Sequence, residues 1–308
     1  MAAQTQPICV IVNPASAGGS TTRLWPQAAA ALRAAGLPLD VHITEGPNHA
    51  TSLARDAGEA GYGIVLYVGG DGTANEVANG LLELPREHRP ALASLPRGSG
   101  GDFPRALGLR PGIGEAVARI RANRRVTIDV ARSTFSAPGH SPLDRAFINV
   151  ADAGIGGVVV ERVNRSRKPL GGTVAFLWAL LTSFWSYVNI PMKIVVDSVT
   201  VHEGPAATAI VANGSYFGGG VKIAPAARPD DGSLDIVVVG DINKADLLSQ
   251  IPHIYRGTHV HHPKVSIYHG REVWVEAAVP SPLDLDGEQP GYTPFRVSLD
   301  PAALEVLA

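Results

Sequence analysis

The 308-residue chain predicts an α/β domain joined to an all-β one. The first is an N-terminal α/β/α layering with a parallel sheet, the second a mainly antiparallel β-sandwich. Three observations carry this reading. Apolar strand runs and helical patterns alternate up to about residue 95. Beyond residue 126, short strands separated by Gly, Pro and Asp turns dominate. Glycine-rich loops follow the first, third and fourth strands, and open parallel sheets hold their ligands at those carboxyl ends.

The elements follow in order. Ile8–Val12 is an unbroken apolar run, as expected of a strand covered on both faces. An Ala-rich helix pattern covers 26–35, and Leu39–Ile43 is the second strand. A helix over 49–60, a strand over 64–68, a helix over 73–82 and a strand over 91–95 complete the alternation. A further helix covers 113–121. Strands are then expected over 126–131, 146–150, 193–196, 206–212, 234–239 and 271–277. Helical interruptions fall near 158–164, at an apolar stretch over 173–188, and at 244–251. The boundary lies near 123–127, which divides the chain into domains 6–126 and 127–294, with 295–308 returning to the first.

Composition narrows the function. Apolar residues make up 45% of the chain, enough for two cores, and charged residues only 18%. The net charge of −2 gives no field to draw in nucleic acid, so a nucleic-acid-binding role is not expected. The single cysteine, Cys9, excludes a disulfide framework and a Cys-based zinc site and fits the reducing cytoplasm. The polar residues 1–6 and the short apolar run after them do not read as a secretory signal.

The stretch 173–188 carries no charge over about sixteen residues. As a helix it is about 24 Å long, short of the roughly 30 Å hydrocarbon core, so it does not span. Arg162, Arg165, Arg167 and Lys168 precede it, and Phe176, Trp178, Phe184, Trp185 and Tyr187 lie along it. Two readings stay open: a helix that covers the sandwich core, or an interfacial patch whose cations meet anionic head groups.

The strongest local signal is Gly69-Gly70-Asp71-Gly72-Thr73-Ala74-Asn75-Glu76-Val77, a glycine turn leaving a buried strand and entering a helix. Such turns bring backbone N–H groups close to a phosphate, and the helix N-terminus favours an anion. Thr73 is placed to cap that helix or to donate to a phosphate oxygen, and Asp71 to hold a metal ion or a hydroxyl. No GxxxxGK[ST] or GxSxG occurs, which removes P-loop ATPases and standard α/β-hydrolases. Gly154-Ile155-Gly156-Gly157 lacks dinucleotide-fingerprint spacing, and His259-x-His261-His262 reads as a solvated loop.

The nonapeptide resembles the signature of the diacylglycerol kinase catalytic-domain family, which includes bacterial lipid kinases and the sphingosine and ceramide kinases. The likeness runs through most of the chain. Asn13-Pro14-Ala15-Ser16-Ala17-Gly18-Gly19 resembles the family's opening loop, and Thr44 with His49-Ala50 its next segment. Pro96-Arg97-Gly98-Ser99-Gly100-Gly101-Asp102-Phe103 resembles its Pro-x-Gly-Thr-x-Asn-Asp-Phe loop. Gly219-Gly220, Ala224-Pro225-Ala227, Asp230-Asp231-Gly232-Ser233-Leu234 and Asp286-Gly287-Glu288 follow in the family's order. Two positions depart from the pattern: Ser99 stands for the usual Thr, and Gly101 for the usual Asn.

The resemblance implies an NAD kinase/diacylglycerol kinase-like fold and ATP-dependent phosphorylation of a lipid hydroxyl, with the nucleotide between the domains. Asn13, Thr44, Gly69, Gly70, Asp71, Gly72, Thr73, Asn75 and Ser99 would contact the nucleotide. Glu288 would accept the proton, with Asp71 as the rival base. Asp286 and Asp102 would orient either acid or bind water on the metal. A magnesium ion would sit at Asp231 with the carbonyls of Arg228 and Ser233. The expected partners are a lipid substrate and, peripherally, a membrane surface; a homodimer stays open. A soluble small-molecule kinase of the NAD kinase type and a silent nucleotide-binding module are the competing readings. The Asn-Pro loop and the apolar stretch favour the lipid kinase over the first, and the joint presence of Asp71, Asp231 and Glu288 opposes the second.

Overall fold

The computed structural model describes residues 7–96, 101–137, 141–165 and 187–308, with the side chains of 163–165 left aside. The chain forms two compact units. Unit 1 comprises residues 1–129 and 301–308, and unit 2 comprises 130–300.

In unit 1, β1 (Ile8–Val12), β2 (Leu39–Ile43), β3 (Ile64–Gly69) and β4 (Ala91–Pro96) form a parallel sheet in the order β2-β1-β3-β4. Strands β1 and β3 are buried nearly throughout, which is why they read as continuous apolar runs rather than alternating ones. Helices α1 (Ser20–Ala34), α2 (His49–Glu59), α3 (Asp71–Leu82), α4 (Asp102–Ala106) and α5 (Ile113–Ala122) belong to this unit. Helix α1 starts six residues earlier than its Ala-rich pattern suggests, because Thr21 is buried and hydrogen-bonded to the preceding turn while Pro26 is carried inside. Helices α2 and α3 pack so closely that a Cβ on Gly80 would lie 2.1 Å from the Thr51 carbonyl. Glu76 uses that approach: its Oε2 accepts the Ala50 N–H at 3.1 Å, placing a negative charge on the first turn of α2. The core gathers Ile8, Val10, Leu32, Leu66, Val68, Leu95 and Ile120.

Unit 2 is a sandwich. One sheet contains β5 (Arg125–Ser136), β6 (Leu143–Phe147), β8 (Ile190–Val196), β9 (Val199–Ala206), β13 (Glu272–Ala277) and β15 (Tyr292–Leu307). The other runs β12-β11-β10-β7-β14, with β7 (Val150–Gly154), β10 (Thr208–Ala212), β11 (Leu234–Val239), β12 (Val265–Gly270) and β14 (Leu283–Leu285). Every pairing in this second sheet is antiparallel. Phe135, Phe147, Ile194, Val275 and Phe295 from the first sheet meet Ala153, Val211, Ile236 and Leu285 from the second in one core. Helix α6 (Ile155–Arg165) follows β7 directly. Two short helices, Lys244–Ser249 and Ile251–Arg256, follow β11.

The chain leaves unit 1 within β5 and re-enters it within β15, whose Val306 pairs with Leu92. The expected strand over 146–150 is two strands broken by a turn, and the expected strand over 206–212 divides at residue 207. His259 is 2% exposed, not solvated. Its Nε2 lies 2.9 Å from the Ile223 carbonyl, and burial lowers its proton affinity. Most of the apolar stretch 173–188, with Arg167 and Lys168, lies outside the described residues, and no described helix is long and apolar enough to cross a membrane.

Candidate functional site: two prepared ends, one in each unit

Three loops of unit 1 leave the carboxyl ends of adjacent strands and are tied to one another by side chains. Asn13, just past β1, donates from Nδ2 to Thr73 Oγ1 on α3 at 2.9 Å, while its Oδ1 accepts the Ala15 N–H at 3.0 Å. Asp71, the first residue of α3, accepts the N–H of Gly101 at 2.9 Å on Oδ2 and that of Phe103 at 3.1 Å on Oδ1. The loops after β1, β3 and β4 are therefore one assembly, in which Asp71 organises the neighbouring loop. Thr44, past β2, is buried and donates its backbone N–H to the Val12 carbonyl at 2.9 Å.

The glycines have distinct reasons. A Cβ on Gly69 would sit 2.4 Å from Thr73 Oγ1, so only glycine lets α3 turn back this tightly. Gly70 caps α3 in extended conformation without a side-chain bond, so the capping part expected of Thr73 is not what it does. Thr73 is 4% exposed and serves Asn13 instead. Gly101, where the resembling family has Asn, adopts φ +66°, and a Cβ there would meet Pro96 and Pro104 only at ordinary contact distances of 3.8 and 3.9 Å. Asn tolerates that left-handed conformation better than most residues, so the backbone is one that either residue can hold. Asn75 is buried, and its carbonyl and Oδ1 accept from Asn79 Nδ2. Asp102, 3% exposed, pairs with Arg105 at 2.6 Å. Ser99 lies outside the described residues.

The second end is the turn of unit 2 that carries Glu288. Leu285 and Glu288 exchange both backbone hydrogen bonds, at 2.8 and 3.0 Å, around Asp286 (φ 51°) and Gly287 (φ 89°). Two consecutive left-handed residues make the tight hairpin for which Asp-Gly is suited. Asp286 does not point to chemistry: its carboxylate accepts three backbone N–H groups, from Ile148 at 2.8 Å and from Asn149 and Val150 at 3.0 Å each. It anchors the hairpin to the turn between β6 and β7. Glu288 pairs through Oε2 with Arg145 of β6 at 2.7 Å and is 43% exposed, so its carboxylate is held yet reachable.

The loop 228–233 is a compact turn. Asp231 Oδ1 accepts the Ser233 N–H at 3.0 Å, Arg228 pairs with Asp230 at 3.1 Å, and the Gly232 carbonyl accepts from Arg271 at 2.9 Å. Among the described residues, no three His, Cys, Asp or Glu side chains converge as a metal cluster. An exposed carboxylate beside backbone carbonyls is nevertheless an all-oxygen donor set suited to a hard cation.

Sequence profiles match both halves of the chain. The diacylglycerol kinase catalytic domain covers residues 7–133, and the YegS C-terminal NAD kinase beta sandwich-like domain covers 149–308. The chain belongs to the diacylglycerol kinase family. It is 29% identical over 285 residues to the diacylglycerol kinase of Staphylococcus carnosus (strain TM300), covering 92% of this chain and 89% of that one. It is 32% identical over 289 residues to the "Probable lipid kinase YegS-like" protein of Chromohalobacter salexigens, covering 90% and 86%. Two solved structures from Bacillus anthracis str. Sterne, both named for a diacylglycerol kinase, superpose with TM-scores of 0.76 and 0.77 at 25% and 26% identity. They cover 99% and 98% of this chain and 97% of each of theirs. The family's fold, an α/β domain with a NAD kinase-like β-sandwich, is the fold described above.

Asp286 as an anchor and Glu76 as a cap for α2 are not foreseeable from local sequence, since each acts on backbone far along the chain. Asp-Gly does signal the turn itself, through its preference for left-handed φ, but not the distant backbone to which Asp286 is bonded.

Proposed function

We propose that this family member transfers the γ-phosphoryl group of ATP to the hydroxyl of a membrane lipid such as diacylglycerol. Unit 1 binds the nucleotide and Glu288 of unit 2 accepts the hydroxyl proton. The observation that supports this most is the double acceptance of backbone N–H groups by Asp71. It joins two glycine loops beside a helix N-terminus, the arrangement that polyphosphate recognition needs.

The chain's own residues divide the work. Gly69, Gly70 and Gly72 let the backbone approach the phosphates, and Asn13 and Thr73 keep the loops after β1 and β3 in register. Glu288 takes the proton as the lipid oxygen bonds to phosphorus and the bond to the departing diphosphate breaks. Arg145 keeps that carboxylate oriented. Asp231 with the carbonyls of Arg228 and Ser233 would hold a magnesium ion, which would supply positive charge at that turn. The enzyme works from the cytoplasm at the membrane surface, where Arg162, Arg165, Arg167 and Lys168 meet head groups.

The test is γ-labelled ATP with a panel of lipids in mixed micelles, with NAD and fructose 6-phosphate as controls. Label in the lipid phase is expected. Label only in a water-soluble control, or in none, overturns the reading. Replacing the four cations with Gln should weaken flotation on anionic vesicles but not on neutral ones; no change removes the membrane contact while leaving the chemistry standing.

A further inference from the structure

Beneath the Glu288 hairpin lie two acidic side chains that the proposed chemistry does not use. Asp152 of β7 and Asp284 of β14 are direct register partners across an antiparallel pair, which puts their side chains side by side on one face. They are 1% and 2% exposed. No cation pairs with either among the described residues. Each is nonetheless engaged: Asp152 Oδ1 accepts the Thr208 hydroxyl of β10, and Asp284 Oδ1 accepts the Gly287 N–H at 2.7 Å. That last bond closes on the residue before Glu288. The first turn of α6 packs tightly over Asp152 and the start of β14, since a Cβ on Gly156 would fall 1.5 Å from Asp152 Oδ2 and one on Gly157 1.9 Å from the Pro282 carbonyl.

We propose that Asp152 and Asp284 are positioning residues for Glu288, a side-by-side carboxyl pair that keeps one proton and fixes the hairpin through the Gly287 N–H. Two neighbouring carboxylates out of water cannot both ionise at low cost, so one stays protonated while the other carries the charge. Burial pushes Asp152 up to about 7, and burial together with the Asp152 charge raises Asp284 well above the usual carboxylate range. The other groups that bear on the pair are Asp286 and Glu288 of the hairpin, Thr208 of β10 and Tyr187 ahead of β8. Helix α6 also carries Glu161, whose Oε1 is engaged elsewhere, accepting from the Tyr292 hydroxyl at 3.2 Å. When the last shared proton leaves, two like charges face each other across β7 and β14, and the turn loses its hold.

This inference rests on Glu288 being the proton acceptor, and the experiment separates the two. Kinase turnover on a micellar lipid, KM for ATP and melting temperature are measured for wild type, Glu288→Gln, Asp284→Leu, Asp284→Asn and Asp152→Asn, with kcat followed from pH 6 to 9. Asp284→Leu should lower kcat about 10–100-fold with KM for ATP within about twofold. Asp284→Asn, whose amide oxygen still accepts from Gly287, should recover most of that loss. Asp152→Asn, with no second charge to develop, should move the alkaline fall of kcat upward by about one pH unit or more. If Glu288→Gln turns over normally, the base assignment fails and this inference falls with it. If Glu288→Gln is inactive while Asp284→Leu keeps kcat within twofold, or the alkaline limb of Asp152→Asn stays in place, the positioning role alone is overturned. An unfolded Asp284→Leu leaves the decision to the pH profile of Asp152→Asn.

Discussion

Replacing Asp286 by alanine separates an anchor from a catalytic acid. In the folded protein its carboxylate serves the N–H groups of Ile148, Asn149 and Val150, all at 2% exposure or less, where water cannot take over. A buried donor left without an acceptor costs about 1–3 kcal/mol. Three such donors, partly relieved by local relaxation, amount to about 4 kcal/mol. A unit of this size loses about 2–4 °C of melting temperature per kcal/mol, so the variant should melt roughly 12 °C lower. Asp286→Asn should lie between, because its amide oxygen can satisfy two N–H groups while its NH2 meets the third donor head-on. Thermal unfolding followed by circular dichroism, alongside lipid-kinase turnover, measures both consequences. Turnover should fall too, since the hairpin carrying Glu288 loses its tether. An Asp286→Ala protein that melts within about 2 °C of wild type yet has lost turnover would refute the reasoning and return Asp286 to the chemistry.

Three further outcomes are expected. Glu288→Gln should cut turnover about 10²–10⁴-fold with ATP affinity and melting temperature nearly kept, which steady-state kinetics and nucleotide titration check; a wild-type rate would exclude it as the base. Asp71→Ala leaves the Gly101 and Phe103 N–H groups without their acceptor and should weaken ATP binding at least tenfold by calorimetry, with Asp71→Asn milder. For Asp152, raised to about 7 from 3.8, the folded state holds a proton that the unfolded state has released. Stability therefore falls as pH rises from about 4 to about 7 and levels off above, a loss of up to about 4 kcal/mol. Denaturation of Asp152→Asn across that window should show an advantage over wild type that grows toward pH 7, and a constant difference would contradict the assignment.

The parallel half of the chain was legible because burial on both faces leaves a local trace. Ile8–Val12 and the run in β3 are apolar without interruption, and glycine turns mark their ends. The glycine-loop residues were legible for the same reason: φ and steric demands act on the residue itself, as at Gly69. Strands β9, β12 and β15 left a weaker trace, since their burial is broken by exposed positions and β15 carries Pro294 and Pro301 inside it. The break between β6 and β7 had no local signal at all. It exists because Asp286, more than a hundred residues later, supplies acceptors for the N–H groups of Ile148 and Asn149 between the two strands and of Val150 at the start of β7. The pairing of Asp152 with Asp284 is likewise a matter of register between strands far apart in sequence. What composition and spacing determined were the groups that meet their demands within a few residues. What only the tertiary structure decided was which carboxylate does what: of the acidic residues picked from sequence, Asp71 and Asp286 spend their oxygens on distant backbone N–H groups, Asp102 pairs with Arg105, and Glu288 is held by Arg145 and stays reachable. Hydrogen-bond partners brought together by folding, not the identity of the side chain, set that division.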